Sequence, residues 1–311
     1  MSEHLSLTHG CSLSNLPLFV ADGAGLFAEQ GLLVEAPVFS RMSSTAEALA
    51  SGAADLGTVS FIQPLIDSAR PNPPVMVAGS GLMGIALLAQ PGTTCLADLK
   101  GRSVGTFRGD PLEVLLHDAL AGSGLGMADV DLRYLDDIAG AMESFTGGKL
   151  AGITLAEPHA TRLRASGAVT LSDGSELWGD PFPDTVLVAS ARLLTDRPQV
   201  VRSALRAMIK AEKFIADDPV AAIEHAARHY PGYRRAELAE AAQRQPPCVD
   251  IRGLVPTVLN RWSSLQSLRL VSLTLPPPHE AIRLDLLNEE LGPFPPVGPA
   301  RLTSDKEPAH G

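Results

Sequence analysis

Cysteine is scarce in this chain: Cys11, Cys95 and Cys248 are far apart and odd in number in 311 residues. No CxxC pair and no Cys/His cluster occurs, which excludes a thiolate zinc site, and neither a metal nor a cofactor is expected. The cysteine count fits a reducing compartment, although exported receptors also lack disulfides. Aromatic residues are only 5%, so no large stacking pocket is indicated, although Phe39, Phe61, Phe107 and Trp178 are available to line one. Basic residues are outnumbered, 25 Lys and Arg against 35 Asp and Glu for a net charge of −10, and they form no block. A nucleic-acid partner or an anionic membrane surface is thereby excluded, and an anionic ligand has to be held by a few local donors. No apolar run reaches the length of a membrane span, so no membrane insertion is expected. The start, Met1-Ser-Glu-His4, carries no basic and apolar leader. As written the chain reads as cytoplasmic, and as periplasmic or extracellular if its start is truncated. Gly81–Gly84 lacks the GxxxxGK[ST] spacing of a phosphate loop.

What is present is apolar substance: hydrophobic residues are 45% and charged ones 19%, enough for a buried interior in two lobes of ordinary size. Strand and helix patterns alternate from the start. Residues 5–8, 32–39, 56–59, 75–78 and 85–89 read as strands, and 16–29, 43–51 and 61–69 as helices between them. A second unit follows near Pro91, with strand patterns at 103–106, 130–135, 153–155 and 168–171 and helical spacing at 111–121 and 138–146. Residues 185–189 form a strand able to cross back, and helical patterns at 198–216, 220–229, 235–243 and 254–268 follow. The alternation predicts an α/β protein with mainly parallel sheets, helices on both faces and a helical C-terminal part. Lobe one comprises 1–89 plus 186–292, lobe two 90–185, and 293–311 is a loose Pro-rich tail. Two crossings place a cleft between the lobes, and ligands of open α/β sheets bind beyond the carboxyl ends of the strands. The turns after each strand are therefore the places to search.

Four stretches, in order, carry a family resemblance. They are Leu18-Phe-Val-Ala-Asp22 with Gly25-Leu-Phe27 and Gly31; Ala48-Leu-Ala-Ser-Gly52 with Asp55-Leu-Gly57; Asp98-Leu-Lys-Gly-Arg102 with Val104-Gly105; and Val186 to Ala189 with Arg197-Pro198 and the helices to about His229. Together they span roughly two-thirds of the chain. The set resembles the sulfonate/nitrate/taurine-binding and thiamine-pyrimidine-synthase superfamily. The resemblance implies the type II periplasmic-binding-protein fold. It also implies one of two occupations, since most members hand ligands to ABC importers and a minority are soluble enzymes, among them an aromatic sulfinate desulfinase.

The candidate site residues lie at strand ends. Cys11 follows the first strand, where a thiol becomes a nucleophile if a cation or helix N-terminus lowers its pKa. The run Leu7 to Cys11 with Asn15 is similar to the desulfinase's catalytic strand, and Arg41 falls where that enzyme has its arginine, ahead of Ser43 and Ser44. A guanidinium fork grips sulfinate, sulfonate or carboxylate through two bonds. The desulfinase's histidine has no counterpart in residues 34–40, and whether His9 replaces it is open. Further ligand-binding candidates are Ser12, Asn15, Ser43, Thr58, Ser60, Thr106 and Arg108. Glu157 and Asp184 are also candidates, with caps or lobe-closing bonds as the alternative use of these two acids. Cys95, Cys248, His117, His225 and His229 read as structural.

Two readings follow. The first, placed narrowly ahead because the start carries no leader, is a cytosolic desulfinase-like lyase, metal-independent, in which Arg41 anchors a small anion and Cys11 attacks or protonates its carbon or sulfur centre. The second is the binding component of a sulfonate/nitrate/taurine-type ABC importer, without catalysis, whose partner is the permease. In both, the ligand is a small anionic organic molecule: a sulfonate, sulfinate, carboxylate or pyrimidine-like compound. A cytosolic sensor is a third reading.

Overall fold

The computed structural model describes residues 2–10, 12–35 and 42–294, excepting the side chains of 42–44 and 46. The described residues form ten strands: β1 (Glu3–Thr8), β2 (Leu32–Glu35), β3 (Leu56–Ser60), β4 (Val75–Leu82), β5 (Ile85–Ala89), β6 (Ser103–Thr106), β7 (Asp131–Tyr134), β8 (Gly152–Ala156), β9 (Val169–Ser172) and β10 (Pro183–Ala189). They form two five-stranded sheets, ordered β2-β1-β3-β10-β4 and β7-β6-β8-β5-β9. Both follow one plan. Three strands of a βαβ unit lie parallel, because helical crossovers return each strand in the same direction. The strand arriving from the other sheet is inserted antiparallel beside the third of them: β10 against β3, and β5 against β8.

Ile85–Ala89, read above as the last strand of lobe one, pairs in the second sheet. The chain crosses at Met83-Gly84 rather than at residue 90, and β10 begins at Pro183, two residues ahead of the expected return. Gly84 takes φ +77° there, a left-handed conformation that glycine adopts without steric cost. Two of the expected helices are divided. Residues 16–29 form Leu16–Gly23 and Leu26–Glu29 because Gly25 turns the chain at φ +74°. Residues 254–268 form Val255–Leu259 and Trp262–Ser267. The described part of the second strand ends at Glu35, and residues 36–40 and 295–311 lie outside the described residues.

The long helix Pro198–Asp217 buries Val200, Val201, Ala204, Leu205, Ala207, Met208, Ala211 and Ile215, a three- and four-residue spacing that puts one apolar stripe on the first sheet. It meets Leu5, Leu7, Phe19 and Leu187 in one core. A second core is continuous between the lobes: Val59, Phe61 and Val186 of the first join Leu87, Val104 and Leu115 of the second, with Trp178 and Phe182 from the return segment. A third lies on the outer face of the second sheet around Phe145, Ile153 and Leu155. Helix starts are fixed by Asp110 for Pro111–Gly122, by Asp137 for Ile138–Thr146 and by Ser190 for Ala191–Asp196, each accepting a main-chain N–H from the first turn.

Candidate functional site

In the first sheet β1 is flanked by β2 on one side and β3 on the other. The order therefore reverses at β1/β3, and the crossovers leave a crevice at the strand ends. A small solvent-open cleft lies there, lined by Gly10, Ser12, Asn15, Thr45, Thr58, Val59, Ser60, Gln63 and Thr185. Gly10, Ser12 and Asn15 come from the turn after β1, Thr58 to Ser60 from the end of β3, Thr45 from the helix Met42–Ala50, and Thr185 from β10. The turn after β1 sits directly on β4. A Cβ at Gly81 would lie 2.6 Å from the Ser14 Cβ, so only glycine permits that approach. Ser80 Oγ completes the contact by donating to the Ser14 carbonyl at 2.7 Å. The Leu13 N–H reaches the Glu157 carbonyl at 3.4 Å, which brings the strand ends of the second lobe against this turn.

Several polar atoms of the lining have no partner among the described residues. The hydroxyls of Thr45, Thr58 and Ser60 and the Oδ1 of Asn15 are buried without a hydrogen bond, and these residues are 1–4% exposed. An unpaired buried hydroxyl costs about 1–3 kcal/mol. Three such hydroxyls and a carboxamide oxygen around one cleft are more than a fold needs and suit a guest that brings the missing partners. No Lys or Arg is among the described lining residues.

The remaining sequence candidates are distributed as follows. Cys11 and Arg41 lie outside the described residues, and Ser43 falls in the helix Met42–Ala50 without a described side chain. Ser12 caps the short turn Leu13–Asn15 and reaches Asp184 at 3.5 Å. Asp184, 5% exposed at the head of β10, accepts from Gln245 Nε2 at 2.9 Å and Thr185 Oγ1 at 3.3 Å. Burial pushes its carboxyl up to about 6, against the lowering effect of its hydroxyl donors. Thr106 is not in the lining. It is buried in the second sheet, where Thr154 donates to it at 2.8 Å. Arg108 is exposed at the end of β6, its guanidinium 5.4 Å from the centre of the Tyr134 ring. Glu157 is fully buried, paired with Arg164 at 2.5 Å and accepting from the Thr161 N–H at 2.9 Å. Its carboxylate is thus used in holding its own turn, the alternative to the ligand contact expected of it.

His9 does not face the cleft. It is 2% exposed and packs edge-on against Phe19 (5.2 Å) and His229 (5.5 Å) on the helix-covered side of the sheet. Burial lowers its pKa, against the raising effect of the Gly10 carbonyl 2.9 Å from Nδ1. It does not supply the imidazole missing from the lyase pattern. Phe61, Trp178 and Phe182 pack edge-to-face in the continuous core rather than lining the cleft. The Cys248 thiol, pushed up to about 12 by burial and by Glu212 and Asp250, is no nucleophile. Sequence reasoning did not name Thr45, Gln63 or Thr185. The strand-end rule that found Thr58 and Ser60 points three residues further to Gln63, whereas nothing local distinguishes Thr45.

The family model described as NMT1/THI5 like matches residues 13–222. A curated Brucella abortus (strain 2308) protein, named as a binding protein, is 24% identical over 213 residues, 67% of this chain and 66% of that one. The chain therefore spans about two-thirds of the length of that relative. Among solved structures, the alkanesulfonate-binding protein SsuA of Xanthomonas axonopodis pv. citri, bound to MOPS, superposes with TM-score 0.77 at 21% identity, over 91% of this chain and 99% of that one. The desulfurization enzyme DszB superposes with TM-score 0.70 at 19% identity, over 93% and 99%. At such identities the structural matches establish the shared two-lobe fold, that of periplasmic binding proteins.

Proposed function

The chain belongs to the NMT1/THI5-like family, and from that premise we propose that it is a receptor that closes on one small anionic organic solute and serves an ABC importer. The observation that carries this reading is the set of buried, unpartnered hydroxyls of Thr45, Thr58 and Ser60 around one cleft at the β1/β3 switch point. Hydroxyls are donors that suit oxyanions, and charge-assisted bonds to them are about twice as strong as neutral ones. The relatives named for binding rather than turnover support the same choice. The lyase reading finds less support: its histidine has no substitute, since His9 is turned into the core. As a receptor the protein works outside the cytoplasmic membrane and meets a permease.

The test is a thermal-shift screen of alkanesulfonates, sulfinates, carboxylates, nitrate and pyrimidines, with each hit incubated and analysed by mass spectrometry. A ligand at 100 times its Kd stabilises by about 2.7 kcal/mol. A stabilising anion recovered unchanged is the expected result. Conversion of it, abolished in Cys11→Ser, would establish the lyase instead. A screen in which no anion stabilises the protein would overturn the reading.

A further inference from the structure

Outside the cleft, one cluster of polar and aromatic side chains joins the two lobes. The helix His159–Ala165 packs into the second lobe through Ala160 and Leu163, and the helix Arg235–Arg244 into the first through Leu238 and Ala241. They meet near their N-terminal ends. The Tyr233 hydroxyl pairs with His159 Nδ1 at 2.6 Å. Arg162 donates to the Gly232 carbonyl at 2.7 Å and to Glu237 at 3.4 Å, and its guanidinium lies over the Tyr233 ring, 3.3 Å from the centre. Burial and the charge of Arg162 lower the His159 pKa to about 4, so at neutral pH the imidazole adds no repulsion to Arg162.

The cluster lies on the cleft side of the joint between the lobes. Leu13, in the turn that lines the cleft, donates its N–H to the Glu157 carbonyl, and His159 follows two residues on, at most about 8 Å along the chain. The far end of the helix Arg235–Arg244 is anchored at the crossings themselves. Gln245 Nε2 donates to the Met83 carbonyl at 3.1 Å and to Asp184 at 2.9 Å, one partner from each crossing. The ten residues between span about 15 Å, the arm that separates joint from cluster. A rotation about the crossings that parts Leu13 from Glu157 therefore also draws His159 and Arg162 away from Tyr233.

We propose that His159 and Arg162 of the second lobe, against Gly232, Tyr233 and Glu237 of the first, form a latch that holds the lobes together and sets how much of the unliganded protein is already closed. The latch rests on the reading of the protein as a receptor that closes on its solute, and adds to it a contact that tunes affinity without touching the solute. For a solute that binds only the closed form, the apparent Kd varies inversely with the fraction closed. Bonds to a charged donor are the stronger kind, and partial exposure of Arg162 weakens them, so their loss lowers the closed-to-open ratio by about tenfold.

The experiment is small-angle X-ray scattering of the full chain without ligand, in the wild type, Arg162→Ala and Tyr233→Phe, with folding checked by circular dichroism. Titration calorimetry with ethanesulfonate, propanoate and nitrate follows. The radius of gyration rises in Arg162→Ala and, by less, in Tyr233→Phe, which keeps the ring and removes only the hydroxyl. The Kd of a binding anion rises in the same order, by up to about tenfold. A cluster that serves the fold alone would lower Tm in both variants at unchanged radius of gyration and Kd, and that result would overturn the latch. A smaller radius or tighter binding in the variants would overturn it as well, by placing the contact in the open form. Because the scattering needs no ligand, a radius that rises while no anion of the thermal-shift screen binds supports the latch and counts against the anion receptor alone.

Discussion

Replacing Thr58 by valine separates the two uses of a buried hydroxyl, because its effects on stability and on binding have opposite signs. The side chain is 2% exposed, its Oγ1 has no partner, and its backbone is held in register opposite Leu187 of β10. Valine keeps the β-branched shape that strands favour and removes only the hydroxyl. Desolvating an unpaired hydroxyl costs about 1–3 kcal/mol. Water entering the open cleft returns part of that, so the unliganded variant gains up to about 1 kcal/mol, or roughly 2 °C in Tm for a chain of this size. The complex moves the other way. A hydrogen bond to a charged group contributes about 1.5–3 kcal/mol, so Kd rises by about 10- to 150-fold. Differential scanning fluorimetry without ligand and titration calorimetry with whichever anion the screen yields measure the two effects on one preparation. A Tm lowered by several degrees together with an unchanged Kd would show that this hydroxyl belongs to the fold and not to the site, and the argument from unpaired atoms would fail with it.

Three further outcomes concern titratable groups buried in the fold. Burial pushes the Asp110 carboxyl up to about 7, against the Leu112 N–H it caps, with Asp184 and Glu113 raising it further. The native state therefore holds that proton more tightly than the unfolded chain, and stability is lost as pH rises from about 4 to about 7. Asp110→Asn keeps a good N-cap and removes the titration, so it matches the wild type in urea at pH 4 and exceeds it at pH 8 by an amount on the order of a few kcal/mol; equal midpoints at both pH values would contradict this. His229, stacked on Phe19 at 4.0 Å, is depressed to about 4 by burial and by the charges of His9 and Arg228. Its contribution is whole above pH 6.5 and is lost as pH falls toward 4, so His229→Phe keeps the stack and flattens that part of the acid-unfolding profile; profiles of equal slope would count against it. Glu157→Ala leaves Arg164 without its partner and the Thr161 N–H uncapped, and costs about 3–5 kcal/mol by chemical denaturation; a loss under 1 kcal/mol would show the pair to be dispensable.

The periodic parts of the fold were legible in the sequence, and the site only in part. Ile138–Thr146 is bounded by Asp137 and Gly147, and the structure keeps those bounds. Which sheet a strand joins was not legible, because Val75–Leu82 and Ile85–Ala89 are both fully buried and apolar runs of this kind carry no mark of their partner. The turn residues alone separate them. At the cleft, the strand-end rule selected Thr58, Ser60 and Thr106 for the same reason, yet only the first two are free to meet a guest. Thr106 stands beside Thr154 of the neighbouring strand, which occupies its oxygen. Whether a hydroxyl is free depends on what a strand distant in sequence places next to it, and no local pattern contains that. His9, whose direction the sequence leaves open, is the reverse case: it shares the core face of Leu5 and Leu7, two and four residues back along the strand.

The strand β10 forms one side of the crevice through Thr185 and is also the stretch of chain by which the polypeptide comes home from the second sheet, two residues after Pro181. A molecule bound against Thr185 would therefore bear directly on one of the two crossings between the sheets. Substitutions in residues 181–185 are thus expected to disturb grip and swing together, whereas those at the opposite rim, around Thr45, alter grip alone.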